Sequence, residues 1–147
     1  MSGHICFRQG RAADLETART LLAAEGLPVE DLTAQHMTDF IIVTRDGMTL
    51  GMIGLESFGD VALLRSLVVD SGHRGVGLGR KLVAALESAA DRNGIRELWL
   101  LTIGADLFFA GLAFVAATRE DVPALLRATP EFESLCPGDA VVMHKRL

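Results

Sequence analysis

The residues of this chain with the clearest chemical potential lie in a glycine-rich segment near its middle. Residues 71–82 read SGHRGVGLGRKL, in which four glycines fall within the eight residues from Gly72 to Gly79. An apolar run, Val61–Val69, precedes the segment, and an amphipathic run follows it. Glycine loses more conformational entropy on folding than any other residue. Such a cluster at a predicted strand-to-helix junction therefore indicates a backbone that turns tightly or approaches a ligand closely.

Two common nucleotide-binding patterns do not fit this segment. A P-loop, G-x-x-x-x-G-K-[ST], needs a glycine before its lysine and a hydroxyl after it, but Lys81 lies between Arg80 and Leu82. A dinucleotide fingerprint, G-x-G-x-x-G, fails on spacing because the last three glycines alternate from Gly75 to Gly79. The segment is therefore not a generic nucleotide signature.

A third pattern, R-x-x-G-x-G, is matched by Arg74, Gly77 and Gly79. Successive backbone N–H groups in such a turn point at one spot, and the dipole of the following helix favours an anion there. Each exposed contact of this kind contributes only about 0.3–1 kcal/mol, so several must converge on one ligand. On these residues alone, a plain structural turn remains the alternative to an anion site.

Apolar periodicity on either side of the segment predicts alternating strands and helices, and therefore an α/β domain with a mixed sheet. The sequence Arg45-Asp46-Gly47 predicts a hairpin turn, because Asp-Gly favours the positive φ angles of such turns. The expected strands are residues 5–9, 40–44, 48–56, 61–69, 97–102, 114–117 and 140–145. The expected helices are residues 14–25, a short one beginning near Val29, one from the glycine segment to Asn93, and residues 105–111 and 121–127.

Length and composition limit the classes of protein to consider. The chain has 147 residues, 50% hydrophobic and 22% charged, so we expect one ordered domain spanning residues 1–147. Its net charge of −5 argues against a general nucleic-acid-binding protein. We expect neither a cleaved leader nor a transmembrane segment, because no stretch has the required pattern. Cys6 and Cys136 lie far apart without metal-ligand spacing, which indicates reduced thiols in a cytoplasmic protein.

The order of motifs along the chain adds a further signal. Residues 67–69 (LVV) end the apolar strand, residues 74–79 (RGVGLG) open the next helix, and residues 102–109 (TIGADLFF) are followed by Ala113-Phe114. In this combination the chain resembles the GNAT superfamily of acetyl-CoA-dependent N-acetyltransferases. Residues 102–109 with Ala113-Phe114 look like that family's segment N-x-x-A-x-x-F-Y…G-F. Shorter pieces, at residues 55–56, 63–67, 128–132 and 134–137, resemble the branch of small GNAT proteins encoded in bacterial arsenic-resistance operons.

The resemblance implies the GNAT fold, a central mixed, mostly antiparallel twisted sheet flanked by helices, with acetyl-CoA as co-substrate. It implies that the pantetheine arm pairs with the backbone of Leu67, Val68 and Val69 as an added strand would. An N–H group near Val69 would then polarise the thioester carbonyl. The implied pyrophosphate contacts are the backbone N–H groups of Arg74, Gly75, Val76, Gly77, Leu78, Gly79 and Arg80. Thr102 and Phe109, at the positions of the family's Asn and Tyr, complete the implied cofactor contacts.

The implied reaction is a direct attack of an amine on acetyl-CoA, without a covalent enzyme intermediate. An alkylammonium with a pKa near ~10.4 is only about one part in a few thousand neutral at pH 7, so a base or a water chain is needed. Glu56 follows an apolar strand that should run beside the acyl site, and it is the candidate base; the other interpretation is a solvated strand-end carboxylate. Arg65 and Ser66 interrupt the buried strand and either orient a polar substrate group or make structural hydrogen bonds.

Phe109 occupies the position where GNAT enzymes usually carry a tyrosine general acid, and the chain contains no tyrosine. A phenyl ring cannot protonate the leaving thiolate, but a thiol has a pKa of only about 8.5, so the thiolate can leave unaided. The leading function is therefore acetyl transfer to a small-molecule amine, in arsenic or xenobiotic detoxification. The alternatives are a non-catalytic acyl-CoA-binding or regulatory domain and a structural partner protein.

The remaining expectations concern partners and metals. No metal site, nucleic acid or membrane partner is indicated. His36, His73 and His144 show no partner spacing and are expected at the surface. A homodimer is compatible with the sequence, with the strand at residues 140–145 exchanged or paired between subunits.

Overall fold

The computed structural model describes residues 4–27, 29–73, 77–130, 132–133 and 140–147. The strands in these residues form a seven-stranded sheet with the order β1-β2-β3-β4-β5-β7-β6. The strands are β1 (Ile5–Gln9), β2 (Phe40–Arg45), β3 (Met48–Phe58), β4 (Val61–Val69), β5 (Glu97–Thr102), β6 (Val115–Ala117) and β7 (Val141–Arg146). The α-helices are α1 (Leu15–Ala24), α2 (Leu78–Arg92), α3 (Asp106–Ala110) and α4 (Ala124–Arg127). Single 3-10 turns occupy Ala12–Asp14, His36–Asp39, Ser71–His73 and Arg119–Asp121.

Most strands pair antiparallel. β1 pairs with β2, β2 with β3, β5 with β7 and β6 with β7 in this way, while β4 and β5 are parallel. The predicted class, an α/β (α+β mixed) fold with a mixed, mostly antiparallel sheet and flanking helices, is confirmed. β7 pairs with β5 along residues 141–146 and with β6 along residues 142–144, and a homodimer that exchanges or pairs this strand stays a prediction.

The described residues fall into two compact units. The first comprises Met1–Leu55 and Ser66–Ser88, and the second comprises Glu56–Arg65 and Ala89–Leu147. β3 and β4 each contribute residues to both units, because the division falls within these two strands. Each unit has its own cluster of buried apolar side chains, as expected for a compact unit.

The core of the first unit forms where α1 packs on β2 and β3. Ala18 and Leu22 lie one helical turn apart on the same face of α1, and both are fully buried. They share a cluster with Phe40 and Ile42 of β2. Gly54 of β3 lies so close to the Phe40 ring that a Cβ atom there would come within 2.4 Å of it. A side chain at this position would therefore displace the ring from the core.

The core of the second unit lies against the sheet formed by β5 and its neighbours. Its buried members come from two strands on either side of β5, from β5 itself and from the segment around α4. They are Leu63, Trp99, Val122, Leu126, Phe132 and Val142. The chain between β6 and β7 therefore anchors itself by apolar side chains placed on this face.

The predicted hairpin at Asp46-Gly47 is confirmed. Arg45 pairs with Met48, and the two residues between them have φ angles of 51° and 79°. Positive φ at both central residues defines a type I′ turn, whose twist matches that of the flanking strands. Local turn chemistry therefore fixes the register next to the turn, and a register shift between Val43 and Thr44 changes it farther along the two strands.

The helix expected near Val29 is wrong. Glu30 and Asp31 form a turn, closed by a hydrogen bond from the Leu32 N–H to the Val29 carbonyl oxygen at 3.0 Å. Thr33 then caps the next turn: its Oγ1 accepts a hydrogen bond from the His36 N–H at 3.4 Å. A threonine in this role begins a helical turn and does not continue one. Helical structure therefore starts only at His36–Asp39.

The single helical piece expected at residues 121–127 is divided in two. Thr118 and Asp121 form a capping box that begins the 3-10 turn Arg119–Asp121. Val122 is then extended, with φ −69° and ψ 132°. The residue before a proline is disfavoured in the helical region, because its backbone clashes with the proline ring. Pro123 therefore ends the first turn, and α4 begins after it.

A bidentate ion pair joins β1 to the turn before α1. Arg8 donates from Nη1 and Nη2 to the two carboxylate oxygens of Asp14, at 2.9 and 2.8 Å. The Arg11 N–H donates to the same carboxylate at 2.8 Å. The hydrogen bond from Arg8 is the main reason that the pKa of Asp14 lies below its ordinary value of 3.8, and burial opposes it.

Replacing Asp14 with asparagine should destabilise the protein by about 1 kcal/mol at pH 7, because charge-assisted hydrogen bonds are lost. A lowered pKa in the folded state stabilises the fold at pH above the unfolded value near 3.8. That contribution disappears as the pH falls through the folded pKa. Urea unfolding of wild type and variant between pH 7 and pH 3 should therefore show a difference that shrinks toward acid.

Glu16→Gln is the matched control, because the Glu16 carboxylate is 88% exposed and lies 3.7 Å from Arg19. Exposed pairs of this kind contribute little. A difference for Asp14→Asn that stayed constant down to pH 3 would contradict the ion-pair explanation.

Candidate functional site

β4 carries two irregularities that set the position of its last residues. Its register with β5 pairs residues 61–63 with residues 97–99 and, within the described chain, ends there. Three positions later Ser66 has a φ of 61°, a left-handed conformation that is uncommon for serine. A left-handed residue interrupts the extended backbone of a strand. The stretch from residue 67 to residue 69 therefore follows a break in the regular sheet.

The end of β4 is held closely against β3. Leu67 and Val69 are half-buried and Val68 is buried. A Cβ atom at Gly51 would lie 2.7 Å from the Val68 carbonyl oxygen, so only glycine permits this approach. The Asp70 N–H also donates to a carbonyl oxygen of β3 at 2.7 Å. The three predicted pantetheine-binding residues therefore lie on a strand that packs tightly against β3.

The second half of the predicted pyrophosphate segment opens α2. Arg74, Gly75 and Val76 lie outside the described residues. Gly77 is exposed with a φ of 81°, and its carbonyl oxygen accepts the Lys81 N–H at 3.1 Å. The next three residues begin the 15-residue helix: Leu78 is buried, Gly79 is half-buried and Arg80 is exposed. The first N–H groups of a helix have no partner within it, and the helix dipole favours an anion beside them.

Asp70 and His73 form a polar pair between β4 and this segment. Oδ2 of Asp70 lies 3.1 Å from Nδ1 of His73 and accepts the Gly72 N–H at 3.3 Å. His73 is half-buried, so the expectation of a surface histidine without a partner is wrong. The spacing Asp-x-x-His is a sequence signal that could have identified this pair.

Glu56 and Arg65 lie on neighbouring strands and form an ion pair. Nη1 of Arg65 donates to Oε1 of Glu56 at 3.0 Å. The Arg65 side chain is fully buried, whereas the Glu56 side chain is 11% exposed. Because a buried guanidinium is costly without an anion, the pair is an integral part of the second unit. The candidate base is therefore a fixed carboxylate with one face toward solvent.

Thr102 and Phe109 occupy the end of β5 and the helix that follows it. Thr102 is 9% exposed and is the last residue of β5. Phe109 is 5% exposed and makes edge-to-face contacts with Phe108 and Phe114, at centroid distances of 5.1 and 5.5 Å. Phe109 therefore belongs to an aromatic cluster of the second unit.

The predicted site residues thus fall into two groups. Residues 67–69 and 77–80 belong to the first unit, which carries the end of β4 and the start of α2. Glu56, Thr102 and Phe109 belong to the second unit. Within the second unit, Glu56 is joined directly to Arg65, which precedes the left-handed Ser66 in the chain.

The strand, glycine segment and helix described above occupy the central part of a known family pattern. The sequence model of the acetyltransferase (GNAT) family matches residues 11–114, which is more than half of the chain. The chain belongs to the GNAT acetyltransferase family. The prediction of an acetyltransferase of this superfamily is confirmed, and the arsenic-resistance branch stays a prediction.

Two curated GNAT relatives show how far the similarity extends. An uncharacterized N-acetyltransferase of Chlorobaculum tepidum is 28% identical over 126 residues, which cover 80% of each chain. An amino-acid acetyltransferase of Ralstonia nicotianae is 29% identical over 114 residues, which cover 74% of this chain and 24% of that protein. The enzyme class predicted from the sequence, an N-acetyltransferase, agrees with these relatives.

A solved structure of another protein has the same fold. The N-acetylglutamate synthase of Neisseria gonorrhoeae, crystallised with coenzyme A and N-acetyl-glutamate, superposes with a TM-score of 0.85 at 21% identity. The match covers all of this chain and 36% of the synthase chain. At this identity the likeness shows the fold, and the present chain spans about a third of the synthase.

Ala113 departs from the GNAT pattern at a position where the backbone matters. The family motif has glycine there, whereas this chain has alanine with a φ of 74°. The residue ends the turn after α3, where the Phe114 N–H donates to the Phe109 carbonyl oxygen at 3.0 Å. A left-handed conformation costs an L-residue with a Cβ about 1–2 kcal/mol.

Replacing Ala113 with glycine should stabilise the protein by about 1 kcal/mol, because the strain removed exceeds the entropy that glycine adds. For a chain of this size, the corresponding rise in Tm is roughly 3 °C. Differential scanning calorimetry would measure it.

The opposite result is expected for Ala110→Gly, because Ala110 is the last residue of α3 and is helical. That variant should lose about 0.5–1 kcal/mol. Destabilisation by both changes would contradict the assignment of strain to Ala113.

His144 is a second histidine whose environment the sequence did not reveal. It stacks on Trp99 with ring centroids 4.5 Å apart and an interplanar angle of 17°. The indole N–H of Trp99 donates to Glu97 at 3.0 Å. These residues belong to paired strands that are distant in sequence, so no local spacing could have indicated the contact. His36 likewise has a partner, since its Nδ1 accepts the Thr33 N–H at 3.0 Å.

The described residues contain neither a metal-binding cluster nor a membrane-spanning helix. Among the described residues, no group of three or more His, Cys, Asp or Glu side chains is arranged to hold a metal ion. No helix in the described part of the chain combines the length and the apolar character needed to cross a membrane.

Proposed function

We propose that this GNAT protein transfers the acetyl group of acetyl-CoA to the amine of a small molecule by direct attack. The observation that carries the proposal is the end of β4. There Ser66 adopts a left-handed conformation after the described register with β5 has ended, and later in the chain the exposed Gly77 precedes α2. One short segment of chain therefore offers both a strand and a helix N-terminus to a long ligand.

The proposed cofactor contacts follow from this geometry. The pantetheine amides pair with the backbone of residues 67–69 as an added strand would. The pyrophosphate binds at the N–H groups of residues 74–80, of which the described part, Gly77 to Arg80, opens α2. An N–H group near Val69 stabilises the oxyanion that forms when the amine attacks the thioester.

Loss of a proton from the acceptor is the energetic difficulty of this reaction. The neutral form of an amine with a pKa near ~10.4 is scarce at pH 7, which amounts to a handicap of roughly 4–5 kcal/mol. Glu56 is the proposed base, directly or through one water, because its carboxylate is fixed and partly exposed. The C–N bond forms first and gives the oxyanion, the C–S bond breaks as the carbonyl is restored, and the amine proton leaves toward Glu56.

The leaving group requires no tyrosine in this proposal. Phe109 has no hydroxyl and packs against Phe108 and Phe114. A thiol pKa of about 8.5 makes the coenzyme A thiolate a good leaving group, which water can protonate afterwards. The aromatic cluster then has a packing role.

The acceptor is proposed to be a small amine, and two observations suggest its class. The Ralstonia relative is named an amino-acid acetyltransferase, and the Neisseria synthase was crystallised with N-acetyl-glutamate. Residues 63–67 resemble the arsenic-operon branch, so an organoarsenical amine is a further proposed acceptor. With that acceptor, the protein would act in arsenic or xenobiotic detoxification.

The compartment is proposed to be the cytoplasm. Cys6 is exposed and is a free thiol in the described residues. Exposed free thiols are most compatible with a reducing compartment, where acetyl-CoA is also available as a co-substrate.

The test is release of free coenzyme A thiol from acetyl-CoA in the presence of single amines. The panel should contain glutamate, other α-amino acids and an aminoarylarsonate, with a characterised GNAT enzyme assayed in parallel. Turnover with at least one amine is expected. The proposal would be rejected by the absence of turnover with every amine, and tight binding of acetyl-CoA in calorimetry would then indicate a non-catalytic acyl-CoA-binding domain.

A further inference from the structure

We propose that Arg65 is a positioning residue, which acts on the acceptor amine only through Glu56. The inference rests on the proposed acetyl transfer and on Glu56 as its base. The Arg65 side chain is a fully buried cation in β4. It directly follows an apolar stretch, residues 62–64, which consists of a buried alanine and two buried leucines.

The contrast in exposure between the two partners carries the first step. The Arg65 side chain is fully buried, whereas 11% of the Glu56 side chain is exposed. A ligand arriving from solvent therefore meets the carboxylate, while the guanidinium lies beneath it. Arg65 binds Glu56 by a bond of 3.0 Å between Nη1 and Oε1. A charge-assisted bond of this length restricts the rotation of the carboxylate, which an unbonded glutamate would retain.

The position of Arg65 in the chain carries the second step. It immediately precedes Ser66, which has a left-handed φ of 61°. Residues 67–69, the proposed pantetheine contacts, follow directly in the chain. Arg65 is therefore the last residue of the second unit before the stretch proposed to hold the acetyl donor, and it fixes the carboxylate within that unit. Catalysis by a fixed base depends on such positioning, because misplacement by about 1 Å can cost about 100-fold in rate.

The exposure of the carboxylate carries the third step. The exposed part of Glu56 presents its carboxylate to solvent, where it can attract the acceptor ammonium ion and orient it before the proton leaves. Loss of Arg65 should therefore reduce kcat and weaken binding of the acceptor, while the KM for acetyl-CoA stays unchanged.

The experiment is a cycle of four proteins: wild type, Glu56→Gln, Arg65→Met and the double variant. Steady-state kcat and KM are measured for the acceptor and for acetyl-CoA. Arg65→Met alone should lower kcat/KM for the acceptor about 10- to 100-fold, a part of the ~10²–10⁴-fold that a positioned base contributes. In the Glu56→Gln background the same change should have almost no further effect, because the residue through which Arg65 acts is already absent.

A purely structural arginine predicts a different result. Arg65→Met would then lower activity by the same factor in both backgrounds, and this additive outcome overturns the inference. Removing one partner of a buried ion pair often prevents folding, whereas replacing both is tolerated far better. If Arg65→Met does not fold, Arg65→Lys takes its place in the cycle. Lysine keeps the charge, so kcat should fall below that of the wild type but stay above that of Glu56→Gln, and in the Glu56→Gln background the change to lysine should have almost no further effect.

The two proposals fail in different ways. No turnover by the wild-type protein with any amine would overturn both the proposed function and the role of Arg65. Turnover by the wild type together with additive effects in the cycle would overturn the role of Arg65 alone. Coenzyme A binding by calorimetry should be the same in all four proteins, because the proposed cofactor contacts are backbone groups.

Discussion

Replacing Gly77 with aspartate is expected to abolish coenzyme A binding while the protein remains folded. A Cβ atom at Gly77 would meet no atom of the described residues within 4 Å, so the change introduces no clash there. The left-handed φ of 81° is tolerated by aspartate better than by most residues. A carboxylate at the start of α2 is also favourable to the helix dipole. The fold should therefore survive the substitution.

Binding should be lost because the new carboxylate lies beside the space proposed for the pyrophosphate and repels its negative charge. Two unit charges about 5 Å apart repel by about 3 kcal/mol at an effective dielectric constant near 20. This corresponds to a loss of more than about 100-fold in affinity for each phosphate charge at that distance. The measurement is isothermal titration with coenzyme A, supported by thermal unfolding of the unliganded protein.

Gly77→Asn is the matched control, because asparagine has the same shape as aspartate and accepts the same backbone conformation without the charge. Its affinity should fall by less than about tenfold, or about 1.4 kcal/mol. Equal losses for the two variants would show that the side chain itself, and not its charge, blocks the site. Normal binding by Gly77→Asp would contradict the pyrophosphate site at the start of α2.

The second large effect is expected at Glu56. Glu56→Gln should lower kcat/KM for the acceptor by about 10²–10⁴-fold, because a positioned base is lost while the size of the side chain is kept. The affinity for coenzyme A should not change. The deficit should narrow as the pH approaches the pKa of the amine, since each pH unit supplies about ten times more neutral acceptor. Initial rates between pH 6.5 and pH 9.5 measure both effects.

Glu97→Gln provides the comparison within the same unit. Glu97 is also a half-buried carboxylate on a strand, and it accepts the Trp99 indole N–H at 3.0 Å. This variant should leave kcat/KM within about twofold of wild type, because substitutions away from the reacting atoms have small effects. Wild-type kinetics in Glu56→Gln would mean that Glu56 is an ordinary strand-end carboxylate, as the other interpretation of the sequence holds.

Much of the fold follows from local patterns that are visible in the sequence. β5 has the predicted bounds, and the Asp46-Gly47 hairpin follows from turn chemistry alone. The errors occur where a polar side chain or a proline overrides periodicity, at Thr33 and at Pro123. In both places the apolar spacing continues, but a cap or a steric clash divides the helix.

The candidate site was visible in the sequence only where it depends on residue type and spacing. The glycine segment suggested a helix start that could bind an anion, and Glu56 was the candidate base because it follows an apolar strand. The partner of that candidate base was not predictable, since Arg65 lies nine residues away on the next strand and the contact depends on how the two strands align. The left-handed conformation of Ser66 had no signal either, because serine is not a residue type that favours it.

The stacking of His144 on Trp99 has a practical consequence for studying how the chain unfolds. Trp99 is the single tryptophan of the chain, and it lies in the second compact unit. Its emission therefore reports the loss of structure in that unit alone, and a stacked imidazole should quench it until the strands part. Far-UV circular dichroism reports both units together. Coincident transitions by the two signals in a denaturant titration would identify a single cooperative transition, and separate transitions would identify the less stable unit.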